Sequence, residues 1–159
     1  MEAHRVIVGA CGWDHAGWLG RFYPEDLPED WRLSYYANEF SGVLLPGPEW
    51  RGLDAAGCRA MCDEVAEGFR FYLEVPARAD EAIDSMPLRQ GFGDHWGGCS
   101  GGSVLVLDAA EPWDLRQLRG RIEGLLAGAS ADAVPALFLR GSPPDVERMR
   151  QARMLADML

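Results

Sequence analysis

The chain has 159 residues and a formal charge of −10, with 48% apolar and 25% charged side chains. That is ordinary globular composition for one domain, and such a length buries roughly 70% of the unfolded surface, so the core needs no disulfide or metal. The acidity argues against non-specific nucleic-acid binding, which works by neutralising phosphates, and no apolar run approaches the ~20 residues of a membrane span.

In chain order, Met1-Glu2-Ala3-His4-Arg5 runs directly into Val6-Ile7-Val8. It lacks the basic start, long apolar core and small-residue cleavage site of a signal peptide, so a cytoplasmic protein is expected. Five apolar runs predict strands: Val6–Ala10, Gly42–Leu45, Phe69–Val75, Ser103–Leu107 and Ala136–Leu139. Most are continuous rather than alternating, as suits parallel strands buried on both faces. Between them the spacing predicts helices. Leu33–Phe40 is short. Leu53–Glu67 carries Cys58, Met61, Cys62 and Val65 on one face before Gly68, and Trp113–Leu126 carries Leu115, Leu118, Ile122 and Leu125. In the last helix Ser142 can cap, Pro143 suits the first helical position and Asp145 completes a capping-box pattern. This terminal helix is apolar on more than one side, which fits either deep burial against the sheet or a subunit contact.

One segment breaks the strand–helix rhythm. Gln90 to Gly102 holds six glycines together with Asp94, His95, Trp96 and Cys99, and it leads into a strand. A phosphate-cradling glycine loop needs the opposite order, so the stretch reads as a flexible connection or a mobile lid. All basic side chains are arginine, which excludes lysine Schiff-base chemistry and a lysine phosphate loop. The four cysteines, Cys11, Cys58, Cys62 and Cys99, are expected as free thiols, and their spacing is not that of a metal site. No cofactor signature is present. The reading is one α/β domain over residues 1–159.

The first third is distinctive: Gly9-Ala10-Cys11-Gly12-Trp13, Gly17-Trp18, Gly20-Arg21-Phe22-Tyr23-Pro24, then Tyr35-Tyr36 and Phe40. With Gly68-Phe69-Arg70-Phe71 and the Val75-Pro76 exit, it resembles the uncharacterised family called "domain of unknown function seventy-two". Members open with a G-T-S-G-W strand, a G-x-F-Y-P loop and a Tyr-Tyr helix. The resemblance implies a barrel of the triosephosphate-isomerase type. Such barrels have eight units and ~250 residues, whereas this chain has room for about five. The implied architecture is a partial barrel, its five strands, numbered along the chain, ordered 4-5-1-2-3. Its exposed edges and uncovered apolar surface lead to the expectation of a homodimer.

Barrel chemistry sits at the C-terminal ends of strands. Those positions here are Cys11, Asp14 and His15 after the first run, Leu44, Leu45 and Glu49 at the second, Glu74 at the third, Asp108 at the fourth and Arg140 at the fifth. The resemblance marks departures at these places. Leu44 stands where the family has a glutamate, Glu74 where it has a lysine and Cys11 where it has a serine. Asp108 falls in place of an R-x-H-G motif, and Leu139 and Arg140 in place of paired asparagines. This implies loss of an ancestral site. The catalytic candidates are Cys11, His15, Glu74 and Asp108: a thiol with an imidazole, or a carboxylate pair. Asp14, His15, His95 and Asp108 carry donor types that suit divalent ions, but nothing fixes their spacing, and no metal site is expected. Trp13, Asp14, Arg21, Tyr23 and Arg140 are candidate ligand contacts, the aromatics either packing the first loop or lining a cleft. Two functions follow: a degenerate, non-catalytic relative acting by self-association or partner binding, or a small enzyme or binder of a small-molecule ligand with a cleft at the strand ends.

Overall fold

The structure, a computed structural model, describes residues 5–75, 86–101, 103–128 and 134–159. Six strands form one parallel sheet: β1 (Ile7–Cys11), β2 (Gly42–Leu45), β3 (Arg70–Leu73), β4 (Trp96–Cys99), β5 (Val104–Leu107) and β6 (Ala136–Leu139). Their order is β4-β3-β2-β1-β6-β5. It differs from the expected one by a sixth strand, β4, which adds an edge beside β3. Helices α1 (Arg32–Glu39), α2 (Gly47–Trp50), α3 (Ala55–Cys62), α4 (Met86–Phe92), α5 (Leu115–Ala127) and α6 (Val146–Asp157) follow the strands, with α2 and α3 both between β2 and β3 and no helix between β4 and β5.

Successive strand residues point to opposite faces. Val8, Ala10, Val43, Leu45, Phe71, Leu73, Leu137 and Leu139 join the core beneath the helices. Ile7, Cys11, Leu44, Tyr72, Ala136 and Phe138 form a second cluster on the other face. This inner face is concave. Tyr72 donates its hydroxyl to the Val134 carbonyl at 2.8 Å, although β3 and β6 lie three strands apart, about 14 Å in a flat sheet. Gly101, two residues past β4, bridges to Val104 of β5, so the two outermost strands approach each other, although a flat six-stranded sheet would hold them about 24 Å apart. The sheet is therefore curled into a half-barrel. Tyr72 and Phe138, ring centroids 5.1 Å apart, fill its interior and are fully buried.

Two local expectations are corrected. The glycine-rich stretch is not only a connection: it holds the end of α4, a single 3-10 turn at Gly93–His95 and strand β4. Gly97 lies where a Cβ would come within 2.5 Å of the Tyr72 ring, so the edge strand must be small at that point. Helix α6 starts at Val146, not at Pro143, and Asp145 rather than Ser142 is the cap, accepting from the Arg148 amide at 3.2 Å. Residues 76–85 lie outside the described residues, and α4 begins at Met86. Among the described residues, no helix is long and apolar enough to cross a membrane.

Candidate functional site

Four strand ends meet at one guanidinium. Arg140 follows β6, Glu74 follows β3, Asp108 follows β5, and Cys11 closes β1. Arg140 donates to the Glu74 carboxylate, its Nε lies 3.5 Å from Asp108 Oδ1, and its Nη1 lies 3.9 Å from Cys11 Sγ. Glu74 and Asp108 come from strands that are far from adjacent in the sheet. They face each other only because the sheet curls and Arg140 stands between them. The exit of β3 is pinned from outside, where the Trp50 indole donates to the Glu74 backbone carbonyl at 2.7 Å.

Burial, and then the Glu74 carboxylate, push the Cys11 thiol from an ordinary 9.0 to about 11, against the opposing pull of Arg140. A thiol there is protonated at neutral pH and is a weak nucleophile. His15 does not serve it: Nε2 donates to the Cys11 backbone carbonyl at 2.9 Å, and the ring lies edge-on to Trp18. We therefore expect iodoacetamide labelling of Cys11 in the folded protein to stay slow at pH 8 and to accelerate only as pH rises toward about 11. Labelling that follows an ordinary thiol titration would refute the burial argument. The linked stability has a definite sign. Because the folded pKa is raised, the protonated thiol's contribution is complete below pH 9 and is lost as pH rises through about 11.

The other candidates scatter. Asp14 pairs with Arg32 of α1. Tyr23 is buried and donates its hydroxyl to the Trp13 carbonyl, while Trp13 packs half-buried on the core. Arg21 lines a separate groove with Trp18, Phe22 and Arg150. His95 donates from Nδ1 to the Phe69 carbonyl at 2.7 Å, just before β3 and so at the opposite end of the sheet from Asp108. Among the described residues, no three His, Cys, Asp or Glu side chains converge as a ligand set.

A cleft of about 270 Å³ opens beside Arg140, between the loop from β5 to α5 and the loop from β6 to α6. Leu107, Leu118, Leu139, Pro112, Trp113 and Pro143 line it with the cations Arg121, Arg140 and Arg148. Each guanidinium meets a cleft carboxylate only at the outer limit of hydrogen bonding. Arg121 lies 3.5 Å from Glu111, Arg140 3.5 Å from Asp108, and Arg148 3.6 Å from Asp145. A charge-assisted N–H···O bond spans about 2.7–2.9 Å, so Arg121 and Arg148 keep donor capacity in these pairs, whereas Arg140 donates to Glu74. The acids are more engaged. Asp114 caps α5 by accepting from the Arg116 and Gln117 amides, Asp145 caps α6, and Glu111 accepts from the Asp108 amide at 2.9 Å.

Sequence reasoning located Arg140 and Asp108 but missed Trp113, Arg121 and Arg148 as site residues. Trp113 lies just before α5, Arg121 midway along it and Arg148 in the first turn of α6, positions where periodicity gives no sign of a site. For Trp113 and Arg148 the usable signal was their place in the segments that follow the last two strands, the end of the sheet where barrel ligands bind.

The family model described as "Protein of unknown function DUF72" matches residues 7–82. No curated protein matches the chain. Among solved structures, the chain is similar to a DUF72 family protein from Thermotoga maritima, with a TM-score of 0.58 and 12% identity, covering 97% of this chain and 100% of that one. At that identity the likeness concerns the fold alone, and it agrees with the curled parallel sheet. Over residues 7–82, the chain matches the DUF72 family of proteins of unknown function.

Proposed function

We propose that the protein is a non-catalytic binding protein, and that the cleft at the C-terminal ends of β5 and β6 takes a small anionic ligand. One observation carries this reading: three guanidiniums line a single cleft, and Arg121 and Arg148 meet its carboxylates only loosely, while Glu111, Asp114 and Asp145 also accept from backbone amides. Arginine's planar fork suits bidentate contact with a carboxylate or phosphate. Against catalysis stand the protonated Cys11 thiol and a His15 whose Nε2 proton is committed to a carbonyl. The free thiols suit a reducing, cytoplasmic setting.

The test is a thermal-melting screen against sugar phosphates, nucleotides, small carboxylates, divalent metals with a chelator control, and short oligonucleotides. A ligand at 100 times its dissociation constant adds about 2.7 kcal/mol, or roughly 5–10 °C for a domain of this size. The expected result is a shift with an anion class that disappears in Arg121→Ala. A screen in which anions produce no shift, or in which Arg121→Ala leaves the shift intact, overturns the reading.

A second reading, homodimer formation, has its own observation. Met154 and Met158 on the outer face of α6 are 65% and 77% exposed. A chain that associates through them sediments as a dimer at tens of micromolar and as a monomer after Met154→Glu with Met158→Glu. A wild-type chain that stays monomeric across that range removes this reading.

A further inference from the structure

Trp31 is the one aromatic ring left largely open to solvent among the described residues, at 61% exposure. It closes the 3-10 turn Glu29–Trp31 and leads into α1. A lone exposed apolar residue is ordinary, but this one belongs to a groove. Trp31 lines it with Leu27, Ser34, Tyr35, Asn38 and Glu64, around a volume of about 340 Å³. Tyr35 stands one helical turn after Trp31 and is held in edge-on contact with Phe22 and Tyr23. The Trp31 indole, by contrast, has no ring, cation or hydrogen-bond partner among the described residues.

The charge around this groove has one sign. Glu64 lines it, Asp26 precedes Leu27 in the chain, and Glu29 and Asp30 precede Trp31. None of these four carboxylates forms an ion pair among the described residues. Burial, and then the charge of Asp30, hold the Glu64 carboxyl above its ordinary value, and no arginine opposes them. Asp30 and Glu64 therefore lie close enough to repel, without a cation of this chain to relieve them.

That combination selects an occupant. Negative charge repels nucleic acid and anionic lipid surfaces. A neutral sugar would rest on the indole but leave the carboxylate repulsion in place. A guanidinium answers both features: its flat face stacks on an aromatic ring, and its fork donates to a carboxylate. We propose that this groove docks an arginine-bearing segment of a partner protein, with the guanidinium on the Trp31 indole and donating to Glu64. The groove shares no residue with the cleft beside Arg140, so the inference does not depend on the anion reading.

The probes are short alanine–glycine peptides carrying a pair of arginines, or lysine, citrulline or glutamate in their place. They are titrated calorimetrically into the full chain at physiological salt, where unspecific attraction to exposed charge is screened. The arginine peptide is expected to bind at least tenfold more tightly than the citrulline peptide, with lysine between them and glutamate not binding. Trp31→Ala should cut the arginine-peptide affinity at least fivefold. It should move the melting temperature by only about 2–4 °C, because the indole is mostly solvated. Glu64→Gln should weaken binding and flatten its salt dependence. Unchanged affinity in Trp31→Ala, or equal affinity for the arginine and citrulline peptides, overturns the proposal, and so does failure of every peptide to bind. A neutral disaccharide that binds in a Trp31-dependent way, or self-association of the chain that Trp31→Ala abolishes, gives the groove a different occupant and overturns it as well.

Discussion

Replacing Gly9 by alanine is expected to cost more than about 3 kcal/mol, at the upper end of over-packing penalties, and to lower or abolish soluble expression. A Cβ at this position would sit 2.1 Å from the Gly42 carbonyl oxygen and 2.5 Å from the Tyr36 hydroxyl. The reason lies in the ladder between β1 and β2. The Gly12 amide donates to the Leu44 carbonyl at 2.8 Å, so the parallel register would have the Ala10 amide donate to Gly42. It does not. The Tyr36 phenol of α1 is inserted there, accepting from the Ala10 amide at 2.8 Å and donating to the Gly42 carbonyl at 2.7 Å. Both bonds are fully buried, so displacing the phenol strands two backbone groups at about 1–3 kcal/mol each. Tyr36→Phe alone should therefore be destabilising too. In the double variant the clash between the methyl added at position 9 and the Gly42 carbonyl survives, so the two changes should be less than additive but not rescue one another. Urea denaturation of the wild type and the three variants measures this. A Gly9→Ala protein within about 1 kcal/mol of wild type would mean that β1 and β2 separate more easily than their geometry indicates.

How much of this could be read beforehand depends on what each residue answers to. The strands at Ile7, Gly42, Arg70 and Ala136 announce themselves because both faces are largely buried, which forces continuous apolar runs, and the partly buried edge strand at Val104 keeps the same Val-Leu-Val-Leu pattern. Strand β4 does not, because its Trp-Gly-Gly-Cys sequence answers to a distant ring. Gly97 yields to Tyr72, and nothing in its own neighbourhood records that. The start of α6 was misplaced for a similar reason. Ser142 and Asp145 both offer a capping side chain, and local rules favour the one followed by proline. The site shows the same division. Cys11, Glu74, Asp108 and Arg140 follow from the rule that barrel chemistry gathers at strand ends. That Glu74 and Asp108 share one arginine follows only from the curl, which depends on Tyr72 reaching Val134.

Trp18→Ala is the second large expected effect, and it links the first loop to the cleft. The indole is 2% exposed and stacks at 6.2 Å on Tyr36, the same residue that enters the β1–β2 ladder. Removing so large a buried ring costs about 3–5 kcal/mol in transfer and cavity terms. Its Nε1 also donates to the Pro144 carbonyl at 2.9 Å, 126 positions away. That bond anchors the loop from Arg140 to Asp145, which supplies one wall of the cleft and the cap of α6. Trp18→Phe separates the two roles. It keeps most of the apolar volume and removes only the bond, leaving the buried Pro144 carbonyl unpaired for about 1–3 kcal/mol. Trp18→Ala should lower stability by the full amount. Trp18→Phe should lose less stability but, by loosening the Pro143 wall, should weaken anion binding in the cleft. If Trp18→Phe reduced stability while leaving binding untouched, the loop would be held by α6 and β6 alone, and the first loop would be only a packing element.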